Sequence, residues 1–445
     1  MSSQFALLKK RRFLPFFVTQ SLSAFNDNVY KQSLILAVLF HLSLAGDRLL
    51  LVNLCALLFI LPFLLFSALG GQLGEKCDKA RLMQWLKGSE VVMLALGSLG
   101  FLLNSLPLLL MILFAMGTRS ALFGPSKYSI LPQHLEPREL MGGNALVEMG
   151  TFLAILGGTI GAGVLLSQAN YAQAVAMSVL LIALLGFFFS LGIPSAPAAM
   201  PQLKLDWNIF RQTWVILRMG LGQAPSVSRS LLGNSWFWFV GAIYLTQIPA
   251  YAKDYLHGSE SMVSLILTLF SVGIALGSLL CGRLSKGHVE PGIVPLGALG
   301  LSLFSILLYA VTPDATTAVI DTYSGWAALK ELSLWPALGC ILGLGIFGGF
   351  YIVPLYALIQ SRTPQEERSR VIAATNILNA LLMVCSALMT MVLLSGIGLT
   401  IPELFLAVAL MNIGVNAFLF TSVPEFWARF RVLIGREHRA RSAHD

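Results

Sequence analysis

The sequence predicts an all-α membrane protein with twelve transmembrane helices arranged as two six-helix halves. Three observations predict it. Apolar residues fill 56% of the 445 positions and charged residues only 11%, against about 45–50% and about 25% in soluble domains. Long apolar runs recur without the strict alternation of barrel strands. Lys and Arg gather in alternate connections. Too few charges exist to cover a soluble surface, and the apolar content excludes disorder. Cys55, Cys77, Cys281, Cys340 and Cys385 are scattered, which excludes a disulfide scaffold and offers no metal-site spacing.

A spanning helix needs about 20 mostly apolar residues. Such windows fall at roughly 13–41, 48–72, 82–103, 106–131, 141–167 and 170–193. A second set falls at roughly 231–252, 259–284, 291–312, 335–360, 367–395 and 400–423. The first span is too long for a cleaved signal peptide, and no small-residue cleavage site follows it. With the N-terminus in the cytoplasm, the cytoplasmic connections hold Lys9 to Arg12, Lys76, Lys79, Arg81, Arg138, Lys204, Arg211, Arg218, Arg229, Arg283, Lys286, Arg362, Arg368 and Arg370. The tail adds Arg429, Arg431, Arg436, Arg439 and Arg441, and the outer side holds Arg48, Lys253 and Lys330. This asymmetry predicts that both termini lie inside. The net charge of +8 is then a set of anchors that favour anionic lipid, with no nucleic acid implied.

The membrane pattern breaks once. Residues 1–193 form the first half, 194–230 a cytoplasmic linker, 231–424 the second half and 425–445 a basic tail. Pro194, Pro197 and Pro201 end the sixth span. Phe210, Trp214, Leu217 and Leu221 then recur at helical spacing beside Arg211 and Arg218, which predicts a helix lying on the membrane surface. The loop after span 2, Gly71-Gln72-Leu73-Gly74-Glu75-Lys76, echoes the loop after span 8, Gly282-Arg283-Leu284-Ser285-Lys286-Gly287. Gln133 and Pro137 likewise echo Gln360 and Pro364. Two parallel six-helix halves around a central path is the architecture of the major facilitator superfamily.

Ionisable groups at membrane depth are costly, so each is a candidate for function. Span 1 carries Ser23-Ala24-Phe25-Asn26-Asp27-Asn28-Val29-Tyr30-Lys31. Asp27 and Lys31 are four apart, so they can pair on one helix face. A cavity lined by this patch would hold a zwitterionic headgroup; the plainer alternative is a self-neutralising structural pair. Span 4 adds Arg119, level with Asp27, and Lys127 with Tyr128. Span 5 adds Asn144 and Glu148, the latter level with Lys127. These pairs could equally be interhelical locks. Lys87 and Glu90 in span 3 read as a local pair with Lys87 snorkelling to the interface. Spans 7 to 12 carry almost no mid-span charge but an aromatic run, Trp236-Phe237-Trp238-Phe239, and glycines at 343, 345, 348 and 349 that permit close helix approach. One charged half and one apolar half would suit a substrate with a charged head and an acyl tail.

Ser23 to Asn28 resembles the opening motif of bacterial lysophospholipid transporters. Phe123-Gly124-Pro125-Ser126-Lys127-Tyr128-Ser129-Ile130-Leu131-Pro132 and Gly142-Gly143-Asn144-Ala145-Leu146-Val147-Glu148 are similar to that family's spans 4 and 5. Arg229 to Phe239 resembles the form fused to an acylglycerophosphoethanolamine acyltransferase. The resemblance implies inward flipping of lysophospholipids, chiefly lysophosphatidylethanolamine, across the bacterial inner membrane by facilitated diffusion. An acyltransferase on the cytoplasmic side would follow. Asp27, Asn28, Lys127, Tyr128, Asn144 and Glu148 fall at positions matching the family. Glu75 departs from the Asp usual in the superfamily loop, so its gating contact, with Arg81 or a helix N-terminus, is open.

The expected mechanism is lateral entry of an amphiphile, with the headgroup passing Asp27, Asn28, Lys31, Arg119, Lys127, Tyr128, Asn144 and Glu148. Gly71, Glu75, Arg81 and Gly282 are the candidate gate. No cofactor or metal is expected. Residues 1–445 contain no His-x4-Asp pattern, so a transporter is expected rather than an enzyme. The competing reading is a proton-coupled exporter of drugs or other amphiphiles that uses Asp27 and Glu148 as proton carriers.

Overall fold

The computed structural model describes residues 4–42, 48–313, 323–325 and 329–441, and side chains for all of these except Leu49 and residues 436–441. Arg436, Arg439 and Arg441 of the basic tail therefore lie outside the described side chains. The first six long helices are α1 (Leu14–Leu36), α2 (Arg48–Lys76), α3 (Lys79–Leu102), α4 (Leu106–Ser129), α5 (Leu140–Leu166) and α6 (Tyr171–Leu191). A shorter helix, α7 (Ile209–Leu221), precedes α8 (Pro225–Asp254), α9 (Glu260–Leu284), α10 (Ile293–Val311), α11 (Trp335–Arg362), α12 (Arg368–Met391) and α13 (Ile401–Ser422). The tail forms α14 (Glu425–Arg441).

Ten of these helices are long and apolar enough to cross a membrane. The two other long helices are α1 and α8, of 23 and 30 residues. Both have the length to span. Their apolar content is diluted by the polar runs at Ser23–Lys31 and Ser226–Ser235. The chain is thus an all-α, multi-pass membrane protein.

Helix ends follow their local chemistry. Asp78 caps α3 by accepting the Arg81 amide, and Asn208 caps α7 by accepting the Arg211 amide. Thr400 and Glu403 close α13 with a reciprocal capping box.

The chain divides into two compact units. One comprises Met1–Glu136, Leu153–Gln223 and Ile359–Ala380; the other comprises Pro137–Phe152, Ala224–Leu358 and Leu381–Asp445. In the first, α2 packs along α4, and α3 and α1 pack along α6. Its apolar core includes Tyr30, Leu34, Leu94, Leu113, Met116 and Val179. The Tyr30 hydroxyl donates to the Leu109 carbonyl at 3.0 Å, so its polar end is satisfied within the core.

In the second unit, α10 packs along α13. Helices α9 and α11 approach closely at small residues. A Cβ at Gly273, Gly277 or Gly349 would meet the backbone of the facing helix at 2.6, 1.9 and 2.5 Å. The glycines on α11 therefore serve close helix approach. We expect Gly277→Ala to lower thermal stability in detergent by about 1–3 kcal/mol, the usual cost of overpacking. Gly163→Ala, where a Cβ meets nothing within 4 Å, should leave it unchanged or raise it. Parallel melting curves of the two variants check this.

Candidate functional site

Four ionisable side chains meet inside the first unit. Arg119 on α4 donates from Nη2 to Asp27 Oδ1 on α1 at 2.5 Å. Its Nη1 lies 3.0 Å from Glu90 Oε2 on α3. Lys87, one turn before Glu90, reaches the same Oε2 at 2.6 Å. Two cations thus face two carboxylates, and the cluster is neutral. Neutral donors complete it. Ser120 donates to Asp27 Oδ2 at 2.7 Å, Asn26 Nδ2 donates to Glu90 Oε1 at 3.3 Å, and Lys87 donates to Ser23 at 3.1 Å.

The cluster has a sealed interior and a rim. Lys87 and Glu90 are 0% exposed and Arg119 is 1%, whereas Asp27 is 8% exposed. Lys87 therefore does not snorkel, contrary to the sequence reading. It turns inward because Glu90 and Ser23 supply partners there and Gly186 leaves room; a Cβ at Gly186 would lie 2.6 Å from Nζ. Charges this deep are tolerated only when paired and hydrogen-bonded.

Asp27 pairs with Arg119 rather than with Lys31. A sealed guanidinium must be neutralised, whereas Lys31 is only half-buried. Lys31 places its ammonium 5.1 Å from the Phe59 ring centroid. Asn28 donates to the Ala24 carbonyl of its own helix at 2.8 Å. Lys127 is half-buried and lies 5.0 Å from the ring centroid of Tyr128. These two belong to the first unit, whereas Asn144 and Glu148 belong to the second. Asn144 donates to the Leu140 carbonyl at 2.9 Å, and Glu148 is buried.

Sequence reasoning did not identify Arg370 as the partner of Glu75. Glu75 accepts from the Arg370 backbone amide in the first turn of α12 at 3.1 Å, and from Arg370 Nε at 2.5 Å. Arg81 is exposed. At Gly71 a Cβ would meet Ala373 at 2.8 Å, and Ser369 donates to Ser129 at 2.9 Å, so α2, α4 and the start of α12 are in contact. Gly282 lies in the last turn of α9, its carbonyl accepting from Ser285 at 2.9 Å. The segment after α6 straps the α2–α3 turn. Ser195 and the Ala196 amide donate to Asp78, the Met200 amide donates to the Glu75 carbonyl, and Lys76 donates to Leu203. Burial alone would raise the Asp78 carboxyl; hydrogen bonds from Ser195 and from backbone amides outweigh it and hold the group below its ordinary range.

Between α8, α10, α11 and α13 the second unit buries a network of uncharged polar groups. Asn412 accepts from Trp236 Nε1 at 2.8 Å and from Asn416 Nδ2 at 2.8 Å, and it donates to Ser302 at 2.8 Å. Tyr351 donates to Asn416 at 2.9 Å. The Trp236 and Phe239 rings stack at 4.7 Å. The pair Asn412 and Asn416, four apart on an apolar helix, was the sequence signal for this network.

A profile of the Major Facilitator Superfamily matches residues 16–384 and, in a second match, 230–432. Among curated proteins, the chain is similar to the lysophospholipid transporter LplT of Klebsiella pneumoniae (strain 342). The two are 28% identical over 309 residues, 69% of this chain and 70% of that protein. It is 27% identical to LplT of Escherichia coli (strain K12 / DH10B) over 352 residues, 78% of this chain and 79% of that protein. Among solved structures, a bacterial homologue of the iron transporter ferroportin in its outward-facing state aligns with a TM-score of 0.64 at 16% identity, covering 93% of this chain and 100% of that one. The transporter FucP in the outward conformation aligns with a TM-score of 0.66 at 11% identity, covering 93% and 99%. At such identities these structures speak to the fold alone.

The sealed part of the cluster makes a stability prediction. Glu90→Gln leaves Lys87 and Arg119 short of a counter-charge and should cost about 3–5 kcal/mol. Arg12→Gln, which breaks the exposed 3.7 Å pair with Glu136, should cost at most about 1 kcal/mol. Thermal unfolding of both variants in mild detergent checks the difference.

Proposed function

The chain belongs to the Major Facilitator Superfamily, and from that premise we propose that it carries lysophospholipids, chiefly lysophosphatidylethanolamine, from the outer to the inner leaflet of a bacterial inner membrane. Both termini face the cytoplasm in this reading, and an acyltransferase there reacylates the product. The observation that carries the reading is the Asp27–Arg119 pair, whose Asp27 end forms the rim of the buried cluster. It presents one anion and one cation side by side at membrane depth, and a phosphoethanolamine headgroup is the complementary pair. The ammonium takes the place of Arg119 at Asp27, and the phosphate takes the place of Asp27 at Arg119. Ion pairs are exchanged rather than left bare, which lowers the desolvation cost of crossing hydrocarbon. The names of the similar LplT proteins support the same substrate class.

The acyl tail needs no water-filled path and stays in apolar surroundings. The Glu75–Arg370 contact and the strap over the α2–α3 turn hold the gate closed on the cytoplasmic side. Opening requires that Glu75 release Arg370 as the halves rock. Lys127 and Tyr128 continue the headgroup path in this proposal.

The competing proton-coupled exporter has one observation in its favour, the buried span carboxylates Asp27 and Glu148. A test in proteoliposomes separates the two readings. The purified protein should take up lysophosphatidylethanolamine at a rate unchanged when the pH gradient is collapsed. Asp27→Asn should lower uptake by about tenfold or more, the weight of one charged contact, with membrane insertion intact. Undiminished uptake by that variant removes Asp27 from the path, and loss of uptake with the gradient favours the exporter.

A further inference from the structure

The linker after α6 carries a face that the transport reading leaves unused. On α7, helical periodicity places Phe210, Trp214 and Leu221 along one exposed edge, and Trp207 continues it just before the helix. Arg211 and Arg218 are exposed on the adjoining edge. Ile216 and Gly220, on the opposite side, are buried. Residues 207–221 contain no carboxylate, so the outer half of the helix is apolar and cationic. Phe210 and Trp214 are 79% and 68% exposed, a poor arrangement for two aromatic rings in water.

The seat of α7 says what covers that face. It packs along α2, a helix long and apolar enough to cross a membrane. Gln72, near the end of α2, accepts from the Asp206 amide at 2.9 Å and donates to the Asp206 carbonyl at 3.3 Å. Thr213 donates to the Leu64 carbonyl of α2 at 3.4 Å. Leu64 lies about 12 Å along the helix axis from Gln72, so α7 runs beside the apolar part of α2. A helix at that depth, with aromatic rings and arginines on its outer half, meets the headgroup–acyl boundary of a bilayer. The same linker is tied to the gate. The Asp206 carboxylate accepts from the Asn208 amide, Arg211 and Gln212, which joins the start of α7 to Gln72. Gln72 is one turn before Glu75, whose carbonyl accepts from the Met200 amide at 2.9 Å.

We propose that the outer face of α7 docks on anionic phospholipid at the cytoplasmic surface, and that this docking braces the α2–α3 turn in its closed arrangement. The inference rests on the reading above for the place of the gate and takes nothing from the cargo. The outer half of α7 is free while the ties to Gln72 and Glu75 are made. A lipid surface that binds that half therefore binds the tied linker and stabilises it. The aromatic edge seats the helix in any bilayer. Arg211 and Arg218 add a preference for negative headgroups, each by about fivefold.

The test places the full chain in nanodiscs of phosphatidylcholine, with and without phosphatidylglycerol, and follows hydrogen exchange of the linker amides, among them Ala196, Met200 and Asp206. Phosphatidylglycerol should slow that exchange by about tenfold or more, two arginines acting together. Arg218→Gln should remove about fivefold of the slowing, and Arg218→Lys should keep it. In a protein with its native cysteines replaced, Phe210→Cys should react more slowly with a membrane-impermeant thiol reagent when phosphatidylglycerol is present. Equal exchange in the two membranes overturns the proposal. So does slowing that Arg218→Gln leaves intact, because the anionic lipid then acts elsewhere, the transport path included. A Phe210→Cys variant that reacts equally fast in both membranes also overturns it and hands the face to a protein partner. Arg218→Gln acting through unfolding would speed exchange in both membranes alike, and that result overturns it too. Uptake of lysophosphatidylethanolamine can fail with all the expected results intact, so the cargo reading and this inference fail separately.

Discussion

A guanidinium in the middle of a membrane helix has to be neutralised where it stands. Arg119 is sealed from solvent, and two carboxylates from two other helices converge on it at 2.5 and 3.0 Å. That requirement fixes how α1, α3 and α4 meet. It also explains Lys87: two carboxylates on one arginine would leave a net negative charge, and the inward-turned lysine cancels it. Gly186 on α6 and Asn26 on α1 follow from the same need, the first by making room and the second by holding Glu90. A cluster satisfied in this way is stiff in its interior. Only its Asp27 edge, held by two replaceable hydrogen bonds, is placed to trade partners with a ligand.

The second unit meets the cost of buried polarity differently. Asn412, Asn416, Tyr351, Trp236 and Ser302 satisfy one another without charge. Neutral amides in such a network lock helices at modest cost and offer little to a charged headgroup. The aromatic stack beside them is buried apolar bulk. An ionic cluster in the first unit and this uncharged network in the second are the physical basis for expecting an amphiphile as cargo.

The helices were legible in the sequence because the membrane imposes long apolar runs that a window reads directly. The Asp27–Arg119 pair was legible too, since helix depth can be counted along each span. Glu90 was undervalued because its i,i+3 spacing from Lys87 looked like a complete local pair, and because a lysine near a span end defaults to snorkelling. Whether such a lysine turns in or out depends on Ser23 and Gly186, which lie far away in the chain. Arg370 was missed for a similar reason: nothing near Glu75 in sequence points to a residue about three hundred positions on. The linker was read for its amphipathic half, where α7 stands. Its first half was passed over, because backbone contacts such as Met200 to Glu75 leave no pattern in side-chain type.

The central claim is that the Asp27 edge of the cluster opens to water and to headgroups in the working protein. Ser120, which donates to Asp27, reports on that edge. In a protein with its five native cysteines replaced, Ser120→Cys should react with a membrane-impermeant thiol reagent, and saturating lysophosphatidylethanolamine should slow the reaction by about tenfold, as expected for a site occupied most of the time. A Cys at position 120 that never reacts, or that reacts at the same rate with and without the lysolipid, would contradict the account.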